Sequence, residues 1–220
     1  MSAKAALSKK RNPVVGDDVS AISLAHAQPD WVFSLNNSNG GFSDEQFEQF
    51  CEANQHFRIE MTKEGTMIIM MPMVPMGGNR EFILNGRFAA WVEADQTGWG
   101  FSPSTVFTLP NGAKRSPDVS WIRNERWEAL SETQKNSVSH ICPDFVVELR
   151  SKTDRLKPLQ DKMQEYMDSG AQLGWLIDPK EKKVHIYRPD ASIEILDNPT
   201  EVSGDPLLAG FTLTLAGIID

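Results

Sequence analysis

The segment Phe145-Val-Val-Glu-Leu149 restricts the fold most, because a nearly continuous apolar run of this length reads as a strand buried on both faces. Such a strand belongs in the middle of a sheet covered by helices, and suitable helices flank it. Residues 79–95 place Leu84, Phe88, Trp91 and Val92 at helical spacing, with Gly98 just past the end as a stop. Residues 159–169 put Leu159, Met163, Tyr166 and Met167 on one face ahead of Gly170. The pattern is α/β, with the central strand between helix layers.

The remaining chain supplies edges and connections. Residues 1–40 are rich in Ser, Asn, Asp, Gly and Pro and read as a loosely held arm, whose island Trp31-Val-Phe33 is suited to docking on the body or on a second copy. Residues 41–220 read as a single domain, a length that buries a substantial core. Ser43 is an N-cap candidate for a short helix ending near Ala53, and Phe57 to Met71 read as a hairpin turning at Glu64-Gly65. Residues 104–109 and 118–122 look like a pair of strands around Pro110-Asn-Gly112, and 126–135 like a short helix. Residues 174–177 and 184–187 form a further hairpin, and 211–219 close the chain with β-like residues.

Composition narrows the function. With 22 Lys and Arg against 30 Asp and Glu, the net charge of −8 has the wrong sign for a protein that coats nucleic acid, though a local basic groove is compatible with it. No apolar stretch approaches the roughly 18 residues of a membrane span, and the first 15 residues lack the layout of a secretory signal, so the expectation is a cytoplasmic protein with no membrane partner. Cys51 and Cys142 are far apart and belong to no paired spacing, and His26, His56, His140 and His185 form no ligand spacing.

Glu148 is the anomaly inside the buried strand. A carboxylate removed from water costs several kcal/mol unless it is paired or binds a metal. One reading is a salt bridge to Arg115 or Arg150, or a place at the strand's wet end; the other is a function. Asp118, after Pro117 at the start of another strand, is by itself a common local cap. If the two strands lie side by side, both carboxylates reach one hard cation, and magnesium takes a few carboxylates with waters, leaving positions for a phosphate oxygen and a nucleophilic water. Lys162, at the margin of the following helix's buried face, is the candidate cation beside them; its plain alternative is a solvated lysine paired with Glu165.

The order Pro117-Asp118, Glu148-x-Arg150 and Lys162 resembles the PD-(D/E)XK nuclease superfamily. More narrowly, Ser116-Pro-Asp-Val-Ser120, Pro143-Asp-Phe-Val-Val-Glu-Leu-Arg-Ser151, Lys162-Met-Gln-Glu-Tyr166, Gly170 and Gly174-Trp-Leu-Ile-Asp-Pro179 resemble the bacterial family called Uma-two, over residues 42–187. The resemblance implies a restriction-endonuclease-like fold, a central mixed β-sheet flanked by α-helices, and magnesium- or manganese-dependent hydrolysis of phosphodiester bonds. In this resemblance Asp118 and Glu148 hold the metal and Lys162 acts on the water. Arg150 departs from the superfamily's lysine and is a poor base, since arginine stays protonated; the resemblance implies that the lysine's role has moved to Lys162 and leaves Arg150 to contact a phosphate. The family's first-strand acid falls on Glu60. Lys152, with Arg155 and Lys157, is a second phosphate-binding candidate, against the plainer reading of a solvated loop.

Two functions follow as expectations. One is an endodeoxyribonuclease acting on DNA, with RNA left open as a substrate because no base-reading motif is present. The other keeps the fold with little activity and serves as a nucleic-acid-binding or protein-interaction module, acting through a homodimer.

Overall fold

The computed structural model describes residues 33–35, 42–70 and 72–220. The arm expected over residues 1–40 lies, apart from 33–35, outside them. Two compact units divide between residue 71 and Pro72.

In the first unit, strand β1 (Phe33–Leu35) is followed by helix α1 (Asp44–Ala53) and strands β2 (Arg58–Met61) and β3 (Met67–Met70). Ser43 caps α1 reciprocally: its hydroxyl accepts from the Gln46 amide at 3.2 Å, and the Gln46 side chain accepts from the Ser43 amide at 2.9 Å. β2 and β3 form the expected antiparallel hairpin, with Gly65 at φ 76 in its turn, and β1 pairs antiparallel with the other edge of β3.

The second unit opens with α2 (Pro75–Asp95), longer at its N-terminus than the periodicity predicts because Pro75 is pre-organised for a first turn. Its stop is Gln96 in the left-handed region at φ 57, and Gly98 instead begins β4 (Gly98–Phe101). β5 (Phe107–Thr108) then pairs with β6 (Lys114–Arg115), with Gly112 at φ 88 in the turn between them. The expected partner of residues 104–109 was 118–122, but that segment, β7 (Val119–Arg123), pairs with β4. α3 (Asn124–Glu128) and α4 (Glu132–Lys135) divide the single short helix expected over 126–135.

β8 (Phe145–Leu149), α5 (Leu156–Asp168) and β9 (Leu173–Asp178) form a βαβ unit, after which β10 (Lys183–Tyr187) and β11 (Glu194–Asp197) turn back antiparallel. Among the described residues the resulting six-stranded sheet has the order β11-β10-β9-β8-β7-β4, mixed because β8 and β9 are parallel. A separate ribbon joins β12 (Glu201–Ser203) to β13 (Thr212–Thr214). No described helix is long and apolar enough to cross a membrane.

β8 is buried on both faces, as its sequence requires. Phe145 and Val147 pack with Leu84 and Phe88 of α2 and with Trp175, while Val146 packs with Met163 and Tyr166 of α5 and with Leu176. Strand alternation therefore puts Glu148 on the α5 face.

At the β4 edge, the indole of Trp121 lies against Gly98: a Cβ there would sit 2.3 Å from Trp121 Cε2 and 2.5 Å from the Ile122 carbonyl oxygen. Because one obstacle is backbone, Gly98→Ala is expected to destabilise by about 1–3 kcal/mol, read as a lower urea midpoint at unchanged m-value.

Candidate active site

Glu148 is 4% exposed, near the end of β8. Its Oε1 lies 2.7 Å from the Lys162 ammonium and accepts from the Tyr166 hydroxyl at 3.0 Å. Lys162 and Tyr166 are one turn apart on α5, and this i,i+4 spacing brings both to the same carboxylate. Tyr166 is fully buried and the Lys162 side chain is 11% exposed, so the cation is held against the sheet with its stem packed. The sequence alternative of a Lys162–Glu165 pair gives way because Glu165 accepts from Arg115 at 2.6 Å and from Asn111 at 3.0 Å.

Asp118 sits immediately before β7. Its amide donates to the Val147 carbonyl at 3.0 Å, and its Oδ2 accepts from the Leu149 amide at 2.7 Å. Val119 faces Val147 in the register, so Asp118 and Glu148 stand at the next position along an antiparallel pair, where facing Cβ atoms are about 4.5–5.5 Å apart. From α2, the Asn85 side chain donates to the Asp118 carbonyl at 3.2 Å, and Ser116 donates to the Pro103 carbonyl at 2.6 Å, fixing the approach to the strand.

Two buried carboxylates at adjacent positions suit a hard cation. Among the described residues no group of three or more His, Cys, Asp or Glu is gathered for a metal; the pair alone would leave most of a cation's shell to water or to oxygens from elsewhere. Magnesium binds in that way, through one or two carboxylates.

The model of the Uma2 family, described as "Putative restriction endonuclease", matches residues 44–216. The chain belongs to this family. A solved structure described as a putative nuclease belonging to DUF820 from Anabaena variabilis ATCC 29413 is 22% identical, with a TM-score of 0.61 over 73% of this chain and 89% of that one. At that identity the likeness establishes the shared fold. No curated protein matches the sequence.

The Uma2 match spans every candidate residue. Glu60 lies in β2 and is 3% exposed, which removes the reading of an exposed strand-end glutamate. The Arg150 side chain, 9% exposed, donates to Asp178 at 2.6 Å, and its Nε donates to the Asp154 carbonyl at 3.3 Å. Lys152 is exposed in the loop that follows β8. Trp175 is fully buried and Trp91 packs against the same core, as their apolar contexts predict.

Sequence reasoning did not find Tyr166 as a partner of Glu148, although its spacing from Lys162 carried the signal. It also gave nothing to His185, which shares a cross-strand row with Glu148 because both face Leu176. His185 is 4% exposed and neither ring nitrogen has a partner among the described residues; burial lowers its pKa, which keeps the ring neutral. Burial likewise pushes the Tyr187 hydroxyl and the Cys142 thiol up to about 12, so the thiol stays protonated and inert.

Tyr166→Phe removes one hydrogen bond to a charged acceptor and little volume. The expected loss is about 1.5–3 kcal/mol of positioning, roughly 10- to 100-fold in kcat for phosphodiester cleavage if Glu148 must be held still. Circular dichroism should remain that of the parent.

Proposed function

We propose that this Uma2 protein is a magnesium-dependent endonuclease that hydrolyses phosphodiester bonds in DNA, with manganese as an effective substitute. The reading is carried by the 2.7 Å contact of the Lys162 ammonium with Glu148, beside Asp118 at the neighbouring strand position. Family membership supports the reaction class, and the two carboxylates support a hard cation.

When bound, magnesium supplies Lewis-acid polarisation of the scissile phosphoryl group and neutralises charge as it develops. Asp118 and Glu148 are the residues that would hold it. The Leu149 amide fixes Asp118 Oδ2 and the Tyr166 hydroxyl fixes Glu148 Oε1, so each carboxylate is oriented by a donor that need not move. Lys162, ion-paired to Glu148, serves as a hydrogen-bond donor: its ammonium orients the attacking water and offers positive charge to the phosphoryl oxygens. Lys152 contacts a backbone phosphate, and the buried Arg150 serves that contact by bracing the loop that carries Lys152.

Cleavage of plasmid DNA and of a matched RNA should be followed with magnesium, manganese or EDTA. Activity is expected with either metal on DNA and none in EDTA, and Lys162→Ala is expected to lose about 100-fold or more. Equal cleavage by wild type and Lys162→Ala, or undiminished cleavage in EDTA, refutes the mechanism. A protein that binds DNA and cuts nothing under any condition is the inactive module instead.

A further inference from the structure

The charge of this acidic chain is laid out unevenly. Two connections leave the sheet at the end where Glu148 lies: residues 150–157, after β8, and residues 178–183, from the end of β9 into β10. Glu148 faces Leu176 in the parallel register, so both connections begin two residues beyond the carboxylate's level, about 7 Å along at 3.3 Å per residue. Together they hold seven Lys and Arg against three Asp and Glu, in a chain whose net charge is −8.

The three acids are engaged locally. Asp178 is fully buried against Arg150, Asp154 accepts from the Ser151 amide at 2.8 Å, and Glu181 lies 3.5 Å from Lys183. Lys180 ties the connections together by donating to the carbonyls of Lys152 at 3.1 Å and Asp154 at 3.4 Å. Lys152, Arg155 and Lys182 are exposed and have no ion pair among the described residues. Lys182 also holds φ 55, a left-handed geometry that Gly or Asn adopts at lower cost, so the position keeps a charge where the backbone favours another residue.

We propose that this double loop is a docking surface for the phosphodiester backbone of the nucleic acid, which runs across Lys152, Arg155 and Lys182 as it passes the Asp118 and Glu148 carboxylates. The occupant rests on the nuclease reading; the surface rests on its own charges. Separate solvated cations at a sheet end suit a repetitive polyanion better than a single phosphate, which needs converging donors. They also give an acidic protein one place where a polyanion is attracted at distances within the ~8 Å screening length of physiological salt.

The test is equilibrium binding of the full chain in EDTA to fluorescent DNA duplex, DNA single strand and RNA duplex of one sequence, followed by anisotropy between 50 and 200 mM salt. Lys182→Gln is expected to flatten the slope of log K against log salt by about 1, and Lys152→Gln/Lys182→Gln by about 2, on any sequence. Arg188→Gln, at the opposite end of β10, should leave the slope unchanged. The probe bound most tightly identifies the polymer. An unchanged slope in the double variant, or no salt-dependent binding to any of the three probes, overturns the surface. If Glu148→Gln abolishes cleavage while the double variant keeps its slope, the surface falls and the active site stands. A flattened slope in a protein that cuts nothing with magnesium keeps the surface and removes the active site.

Discussion

Glu148→Gln is expected to lower DNA cleavage by about 10²–10³-fold, the range seen when one charge-stabilising group is removed from an active site. The substitution is nearly isosteric, and a glutamine Oε1 still accepts from the Tyr166 hydroxyl, so the local packing survives. What disappears is the negative charge that faces Lys162 and, in the proposed reaction, one of two carboxylates available to a divalent ion. Stability should fall by about 1–2 kcal/mol, because the Lys162 ammonium loses the carboxylate charge 2.7 Å away yet has a flexible stem with which to seek water. For a domain of this size that is a melting shift of about 2–8 °C, too little to unfold the protein at assay temperature. Two measurements separate chemistry from folding. A manganese titration should show weaker binding in the variant, and the residual cleavage should need correspondingly more metal to reach its maximum. Wild-type manganese affinity in Glu148→Gln would remove this residue from the cation site.

Glu148 was legible because its anomaly is thermodynamic: a charge within an apolar strand requires a partner in any fold that buries the strand. Asp118 was legible only together with it, since their adjacency depends on β7 pairing with β8, a contact between strands far apart in the chain. The same non-local freedom explains the strand partners misjudged from sequence. β6 consists of Lys114 and Arg115, two charged residues that carry no strand pattern, yet Lys114 is fully buried and donates to Thr108 at 3.0 Å. With β6 hidden, β5 seemed to need β7. β4 was missed for a related reason. Gly-Trp-Gly-Phe has little β propensity, and Gly98 is required by the indole of Trp121 rather than by a helix stop. β11 is an exposed edge whose pairing is set by β10, and nothing in its four residues forces burial.

Asp178→Ala is expected to be the most destabilising substitution near the site, at about 3–5 kcal/mol, because it leaves the buried Arg150 guanidinium without its principal counter-charge. Asp178 is fully buried and accepts three ways: from Arg150 at 2.6 Å, and from the amides of Lys180 at 2.9 Å and Glu181 at 3.2 Å. Glu181, 3.7 Å from Arg150 and half exposed, compensates little. Asp178→Asn keeps an acceptor for the two turn amides and loses only the charge, so its cost should be intermediate. Replacing both partners, Arg150→Met with Asp178→Ala, should recover part of the loss, since removing a buried pair together costs less than orphaning one member. Urea denaturation of the three variants decides what Arg150 does. If it is a phosphate contact, Asp178→Ala leaves the urea midpoint near wild type and changes DNA affinity. If it is a brace, the midpoint falls steeply and the double variant lies above the single one. The 9% exposure of the Arg150 side chain and its 2.6 Å bond to Asp178 favour the brace, which holds the end of β8 against the end of β9, one residue beyond the paired Leu149 and Ile177.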